Sequence, residues 1–157
     1  MNIRKGTRED ANLLWELMQD AFSKYEGEAV PPTALQETPD FIHQEIETGE
    51  QSFIIMDGEG TPVGMVRYRI NDNYLSFFRM SIRRRHQAKG YAKKLLIELE
   101  KEALRNRLSY MKCRIRSATL LNVPLYINLG YRQCGEEHLE RNGVPFTIAL
   151  LEKPLPV

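Results

Sequence analysis

The sequence is poor in the residues that build metal and disulfide sites. It contains 2 cysteines and 3 histidines among 157 residues. Cys113 and Cys134 are too far apart for a CxxC motif and lie in runs with strand character, so we expect two small buried thiols. His43, His86 and His138 are scattered and form no ligand cluster with the cysteines. The sequence therefore predicts no disulfide and no metal site.

The sequence also lacks long apolar runs and an excess of charge of one sign. No stretch approaches the ~20 apolar residues that cross a bilayer, and the first ten residues lack the apolar core of a signal peptide. These absences predict a cytoplasmic protein without a membrane partner. The 22 Lys and Arg nearly balance 21 Asp and Glu, which argues against a nucleic-acid partner bound by bulk electrostatics. The length predicts a single domain over residues 1–157.

A basic segment, residues 83–92, joins a strand to a helix. Residues 74–82 have strand character, and an apolar stripe at helical spacing follows the segment: Ala92, Leu95, Leu96, Leu99 and Ala103. The first turn of a helix leaves N–H groups unpartnered and carries partial positive charge. Small residues at 88, 90 and 92 would let a phosphate approach this backbone closely. The segment therefore predicts an anion-binding turn.

This turn does not fit two common nucleotide-binding motifs. It has no Gly-Lys-Ser/Thr of a P-loop, and too few glycines for the dinucleotide fingerprint Gly-x-Gly-x-x-Gly. Residues 87–92, Gln-Ala-Lys-Gly-Tyr-Ala, resemble the acyl-CoA signature Gln/Arg-x-x-Gly-x-Gly/Ala of the GNAT N-acetyltransferase superfamily. Residues 125–131, Leu-Tyr-Ile-Asn-Leu-Gly-Tyr, resemble the family's Leu-Tyr-x-x-Leu-Gly-Phe/Tyr. The motifs lie in the family's order, and the resemblance covers roughly residues 1–153.

Periodicity and turn residues predict the element order β-α-α-β-β-β-α-β-α-β-β. Thr7 and Asp10 predict a capping box before the first helix, and Thr38 followed by Pro39 predicts the start of the second. We expect Phe41, Ile42 and Ile46 on the inward face of that second helix. Asn142-Gly143 predicts a closing hairpin. The chain is an α/β (α+β) protein, and the resemblance implies a GNAT-like mixed, mostly antiparallel sheet of six to seven strands with about four helices.

The resemblance implies that acetyl-CoA is the co-substrate and assigns residues to it. The N–H groups of the turn would wrap its pyrophosphate: Gln87, Ala88, Lys89, Gly90, Tyr91 and Ala92. Arginines 83–85 would be available to the ADP part, with Arg85 among the cofactor-binding residues. Backbone groups at Met80, Ser81 and Ile82 would pair with the pantetheine arm, and one N–H would meet the oxyanion. Asn122 is assigned to the pantetheine as well, with Thr119 as the alternative.

Tyr126 matches the family tyrosine that acts as general acid toward the coenzyme thiolate. A phenol titrates near 10 and a thiol near 8.5, so the phenol keeps a proton to donate at neutral pH. The general base is less clear, because Ser76 stands where some relatives have a glutamate. Glu26, Glu28, Glu37 and water remain the candidates for that role.

The expected function is direct transfer of an acetyl group to a primary amine of a small molecule or protein in a ternary complex. An acidic loop at residues 23–37 favours a cationic acceptor. Homodimerisation is common in the superfamily and would occur through the terminal strands, but no residue of this sequence requires it. One alternative is a catalytically weak acetyl-CoA sensor of the same fold, which an amine panel would distinguish. Another is a nucleic-acid-binding domain using residues 83–89, which a salt-dependent gel shift would test.

Overall fold

The computed structural model describes residues 2–27, 32–116 and 123–156. These residues contain the predicted elements in the predicted order. The bounds are β1 (Ile3–Lys5), α1 (Ala11–Phe22), α2 (Pro39–Glu47), β2 (Gln51–Met56), β3 (Pro62–Ile70), β4 (Tyr74–Ile82), α3 (Tyr91–Arg105), β5 (Tyr110–Arg116), α4 (Val123–Asn128), β6 (Arg132–Arg141) and β7 (Val144–Pro154). Within these described ranges, no helix is long and apolar enough to span a membrane.

The strands form one sheet with the order β1-β2-β3-β4-β5-β7-β6. β4 and β5 run parallel, as a strand–helix–strand connection predicts. β1 with β2, β2 with β3, β5 with β7, and β6 with β7 pair antiparallel. β6 and β7 meet at Asn142 and Gly143, both with positive φ, which is the turn that Asn-Gly favours. The predicted mixed, mostly antiparallel α/β sheet is confirmed.

The chain divides into two compact units that share β4 and α3. The first unit comprises Met1–Arg69 and Phe77–Leu99, and the second comprises Ile70–Ser76 and Glu100–Val157. In the second unit, Tyr74, Leu75 and Ser76 of β4 pair with β5. The rest of β4 belongs to the first unit, together with the basic turn that follows it. That the chain is a single domain stays a prediction.

The first two helices begin at the residues that the sequence indicated. The backbone N–H of Thr7 donates to Asp10 Oδ2 at 2.8 Å, which forms a capping box on a short 3-10 turn leading into α1. Thr38 Oγ1 accepts a hydrogen bond from the N–H of Phe41 at 3.1 Å, and Pro39 occupies the first helical position of α2. Local sequence therefore sets both helix starts.

Two side chains that we expected to be buried are exposed. Phe41 is 43% exposed, whereas Ile42 next to it is fully buried. Phe41 lies one residue, or about 100°, away from the Ile42 stripe, and α2 buries only a narrow face. Cys113 is buried as expected, but Cys134 is exposed. Cys134 lies on β6, the last strand in the sheet order, and none of the residues of this strand is buried.

Gly64 on β3 lies where β4 comes very close. A Cβ built there would lie 2.9 Å from the backbone O of Ser81 and 2.5 Å from Ile82 Cδ1. We expect Gly64→Ala to lower the free energy of unfolding by about 1–3 kcal/mol, because backbone has to shift to admit the methyl group. Urea unfolding measures this free energy for Gly64→Ala and for the control Gly58→Ala, since a Cβ at Gly58 meets nothing within 4 Å. Equal losses in the two variants would refute this account of Gly64.

Candidate functional site

The turn between β4 and α3 has the backbone geometry of an anion site. Ala88 has φ 63° and Gly90 has φ 86°, both in the left-handed region. Left-handed residues alternating with ordinary ones turn successive N–H groups toward one side. Among the described residues, the N–H groups of 88–92 have no backbone acceptor. We call residues 87–92 the cradle, and its donors are free to bind an anion.

Gly90 leaves open space at the mouth of the cradle. A Cβ built on Gly90 would meet no heavy atom within 4 Å. Ala88, Lys89 and Gly90 are all exposed. Exposed residues at the start of a 15-residue helix, with nothing within 4 Å of a Cβ built on Gly90, fit a diphosphate group. The residues present therefore fit a coenzyme held by its phosphates.

The side chain of Gln87 fastens the cradle to the rest of the first unit. Its Nε2 donates to the carbonyl O of Ile82 at 3.1 Å, and its Oε1 accepts from Lys24 Nζ at 3.2 Å. Ile82 ends β4, and Lys24 lies on a 3-10 turn after α1. The amide of Gln87 therefore positions the turn, while its backbone stays available.

The basic residues of the turn divide into two groups. Arg83 contacts Glu16 at 3.2 Å and donates to the carbonyl O of Pro62 at 3.1 Å. The backbone N–H of Arg84 donates to Asp20 Oδ2 at 2.8 Å. Arg85 and Lys89 are exposed, and neither has an ion-pair partner in the described part of the chain. Of the three arginines expected to reach the ADP part, Arg83 is instead paired with α1, and Arg85 remains available.

The end of β4 carries an irregular backbone. Arg79 has φ 56°, a conformation that residues with a Cβ rarely adopt within a strand. Its carbonyl O accepts a hydrogen bond from Ser81 Oγ at 2.8 Å. Met80 is half-buried, whereas Ser81 and Ile82 are buried. The three residues assigned to the pantetheine arm thus directly follow a kinked position.

A buried charge network in the first unit was not found from the sequence. The Arg67 guanidinium on β3 binds Glu50 at 2.7 Å and Glu37 at 2.8 Å. Glu37 also binds Arg79 at 2.8 Å. Only 2% of the Arg67 side chain is exposed. The signal in the sequence was an arginine inside the apolar strand 62–70, which requires carboxylate partners when buried.

Tyr126 lies buried in the second unit. It is 6% exposed, and its ring meets that of Tyr131 edge to face with centroids 5.7 Å apart. Burial, and then the neighbouring Cys113, raise the pKa of Tyr126. Burial, and to a smaller extent the charge of Cys134, raises the pKa of Cys113 to about 12. The Tyr126 phenol therefore stays protonated well above neutral pH, as a proton donor must.

The structure narrows the set of candidate bases. Glu26 is exposed at the end of a 3-10 turn. Both carboxylate oxygens of Glu37 accept from guanidinium groups, so Glu37 is not open to take a proton from an amine. Glu28, Thr119 and Asn122 lie outside the described residues. In the described ranges, no group of three or more His, Cys, Asp or Glu side chains could hold a metal ion.

Comparison with known proteins identifies the family. The sequence model described as "Acetyltransferase (GNAT) domain" matches residues 11–148. The chain belongs to the GNAT acetyltransferase family. Members of this family use acetyl-CoA, and membership supports an acyltransferase activity for the chain. The cradle and the Tyr126 segment both lie inside the matched range.

Individual GNAT proteins resemble the chain over different lengths. The uncharacterized N-acetyltransferase YjcF of Bacillus subtilis is 31% identical over 101 residues, which is 64% of this chain and 69% of that protein. The ribosomal-protein-S18-alanine N-acetyltransferase of Escherichia coli superposes with a TM-score of 0.81 at 14% identity, covering 100% of this chain and 96% of that one. The PaiA N-acetyltransferase of Thermoplasma acidophilum, solved with coenzyme A, gives 0.75 at 15% identity, covering 99% and 100%. These structural likenesses show the fold.

Proposed function

We propose that this GNAT protein transfers an acetyl group from acetyl-CoA to a primary amine by direct attack in a ternary complex. The amine nitrogen forms a bond to the acetyl carbon, the carbon–sulfur bond breaks, and the departing thiolate takes a proton. The observation that supports this most is the cradle, whose N–H groups from 88 to 92 have no backbone acceptor in the described part of the chain. The family's use of acetyl-CoA gives those donors a ligand.

We assign the diphosphate of the coenzyme to the cradle. Hydrogen bonds from backbone N–H groups to a charged acceptor contribute about 1.5–3 kcal/mol each. The exposed charges of Arg85 and Lys89, which have no ion-pair partner in the described part of the chain, lie on the same turn and add attraction for an anion. The cradle therefore supplies affinity for the coenzyme whatever the acyl group it carries.

We assign the binding of the acyl end of the coenzyme to β4, and we assign Tyr126 as the donor of the proton that the departing thiolate takes. Backbone groups of Met80, Ser81 and Ile82 would pair with the pantetheine arm, and one N–H would meet the charge that develops on the carbonyl oxygen. The proposal for Tyr126 rests on the motif at residues 125–131 and on a phenol that burial keeps protonated. Asn122 remains a proposed pantetheine contact from the family pattern alone.

We propose that the acceptor ammonium first loses a proton to water and that the neutral amine then attacks. Glu37 is bound to Arg67 and Arg79, and Glu26 is exposed at the surface, so neither is a preorganised base. The same pairing of Glu37 weakens the hypothesis of a cationic acceptor, since this loop carboxylate is already neutralised. The acceptor is therefore assigned only as a primary amine.

We also propose a cytoplasmic location, for which the cysteines give support. Cys113 and Cys134 are free thiols, and free thiols persist where the cell keeps its surroundings reducing. Small buried thiols such as Cys113 are then inert packing groups.

The experiment that tests the function is a transfer assay on a panel of amines. The protein is mixed with acetyl-CoA and a reagent that reports free thiol, and polyamines, amino acids, aminoglycosides and peptide N-termini are tried as acceptors. Amine-dependent thiol release, with the acetylated amine identified by mass spectrometry, is the expected result. If coenzyme binds but no amine gives turnover, the protein is a catalytically weak acetyl-CoA sensor and not an acetyltransferase.

A further inference from the structure

The conformation of Arg79 requires an explanation from its surroundings. It has a Cβ, lies within a strand, and adopts φ 56° in the left-handed region. Such a conformation costs free energy and persists only where neighbouring contacts hold it. The next three residues are those assigned to the acyl end of the coenzyme. Whatever holds Arg79 in place therefore also sets the direction of that backbone.

The side chain of Arg79 makes the contacts that can hold this conformation. Its Nε donates to Glu37 Oε2 at 2.8 Å, and its Nη2 donates to Thr33 Oγ1 at 2.9 Å. Its carbonyl O accepts from Ser81 Oγ at 2.8 Å. Three hydrogen bonds thus fix the residue from both its side chain and its backbone.

Glu37 is itself held in place, so it is a firm anchor. Its other carboxylate oxygen accepts from Arg67, which is fixed in turn by Glu50 at 2.7 Å. The carbonyl O of Glu37 accepts from Trp15 Nε1 at 3.0 Å. Glu37 therefore connects β3 and β4 through its carboxylate and α1 through its backbone carbonyl. An acid with so many partners acts as a structural anchor for the strand.

We propose that Glu37 and Arg79 are positioning residues: their ion pair holds β4 in its kinked conformation so that the backbone after Arg79 is aimed at the thioester. This inference rests on the proposed acetyl transfer, and it assigns Glu37 a role other than general base. In this proposal neither side chain contacts the reacting atoms. Loss of the pair releases residue 79 toward the extended conformation and misdirects the groups at Met80 and Ser81.

The test compares Arg79→Ala with Arg79→Gly. Alanine removes the contacts and keeps the cost of a positive φ, whereas glycine removes the contacts and adopts a positive φ without that cost. We expect Arg79→Ala to lower kcat by about tenfold or more, because small displacements of a positioned group have large effects on rate. Arg79→Gly should keep several times more of kcat than alanine. The Kd for CoA should rise far less than kcat falls in both variants, since the cradle is unchanged and the displaced groups contact the pantetheine arm alone.

Arg69→Ala is the matched control for these variants. Arg69 lies on β3 and contacts a glutamate, Glu45, and a threonine hydroxyl, Thr48, as Arg79 contacts Glu37 and Thr33. Its kcat should equal that of the wild type. A kcat of Arg79→Ala within twofold of wild type, equal losses for alanine and glycine, or a parallel loss of CoA affinity would each overturn the proposal.

A structural measurement separates this inference from the proposed function. A crystal structure of Arg79→Ala should show residue 79 outside the left-handed region; if it stays there, the ion pair does not hold the kink, whatever the activity. Should that variant fail to fold, Glu37→Gln takes its place, because it removes the charge and keeps an acceptor oxygen. A kcat in Glu37→Gln that falls much further than the affinity for CoA supports the proposal, and a kcat within twofold of wild type overturns it.

Discussion

Tyr126→Phe is expected to lower kcat for acetyl transfer by about 100-fold, at the low end of the range for loss of a general acid. The phenol is buried, and its raised pKa keeps it protonated across the pH range in which an amine assay is run. Without it, the thiolate has to leave unprotonated or take a proton from water. The measurement is kcat by thiol release, together with the Kd for CoA, which should not change because the ring remains.

Tyr131→Phe is the control for this loss. Tyr131 is also buried in the second unit, and its ring packs against that of Tyr126. Both variants lose one phenolic oxygen from the same cluster, so any general effect on packing appears in both. A kcat loss in Tyr126→Phe no larger than that in Tyr131→Phe would remove Tyr126 from the mechanism.

Gly90→Ala is expected to weaken CoA binding by about 100-fold. The added methyl group would occupy the open space in front of the cradle N–H groups. Losing one or two hydrogen bonds to a charged group costs about 1.5–3 kcal/mol each, and tenfold in affinity corresponds to about 1.4 kcal/mol. Isothermal titration calorimetry measures this Kd directly.

Gly60→Ala isolates the effect of the phosphate site from that of backbone strain. Gly60 has φ 83°, close to the 86° of Gly90, and a Cβ on it also meets nothing within 4 Å. It lies in the turn between β2 and β3. Both variants should lose similar stability, about 1 kcal/mol, from forcing a Cβ into a positive φ. Equal CoA affinity in the two would show that Gly90 does not face the coenzyme.

The features that the sequence predicted correctly are those set by neighbouring residues. The capping box at Thr7 and Asp10, the start of α2 at Thr38 and the Asn-Gly hairpin each depend on a few consecutive positions. The turn from β4 into α3 was predicted for the same reason, because it needs only a strand, small residues and a helix start in succession. That this turn binds an anion stays a prediction. Local chemistry of this kind is readable without knowing the fold.

The features that the sequence did not predict depend on residues far apart in the chain. Arg83 pairs with Glu16, 67 positions away, and Arg79 with Glu37, 42 positions away. Nothing local shows that Glu37 is taken up by two arginines, so it appeared as one of several free loop acids. Tertiary pairing decides which charged side chains remain available to a ligand.

The central claim is that the cradle binds the diphosphate of a coenzyme, and calorimetry with CoA tests it most directly. We predict a heat of binding for one CoA per chain, displacement of CoA by acetyl-CoA, and a weaker signal at high salt because the ligand is an anion. No heat, together with no competition from acetyl-CoA, would contradict the account.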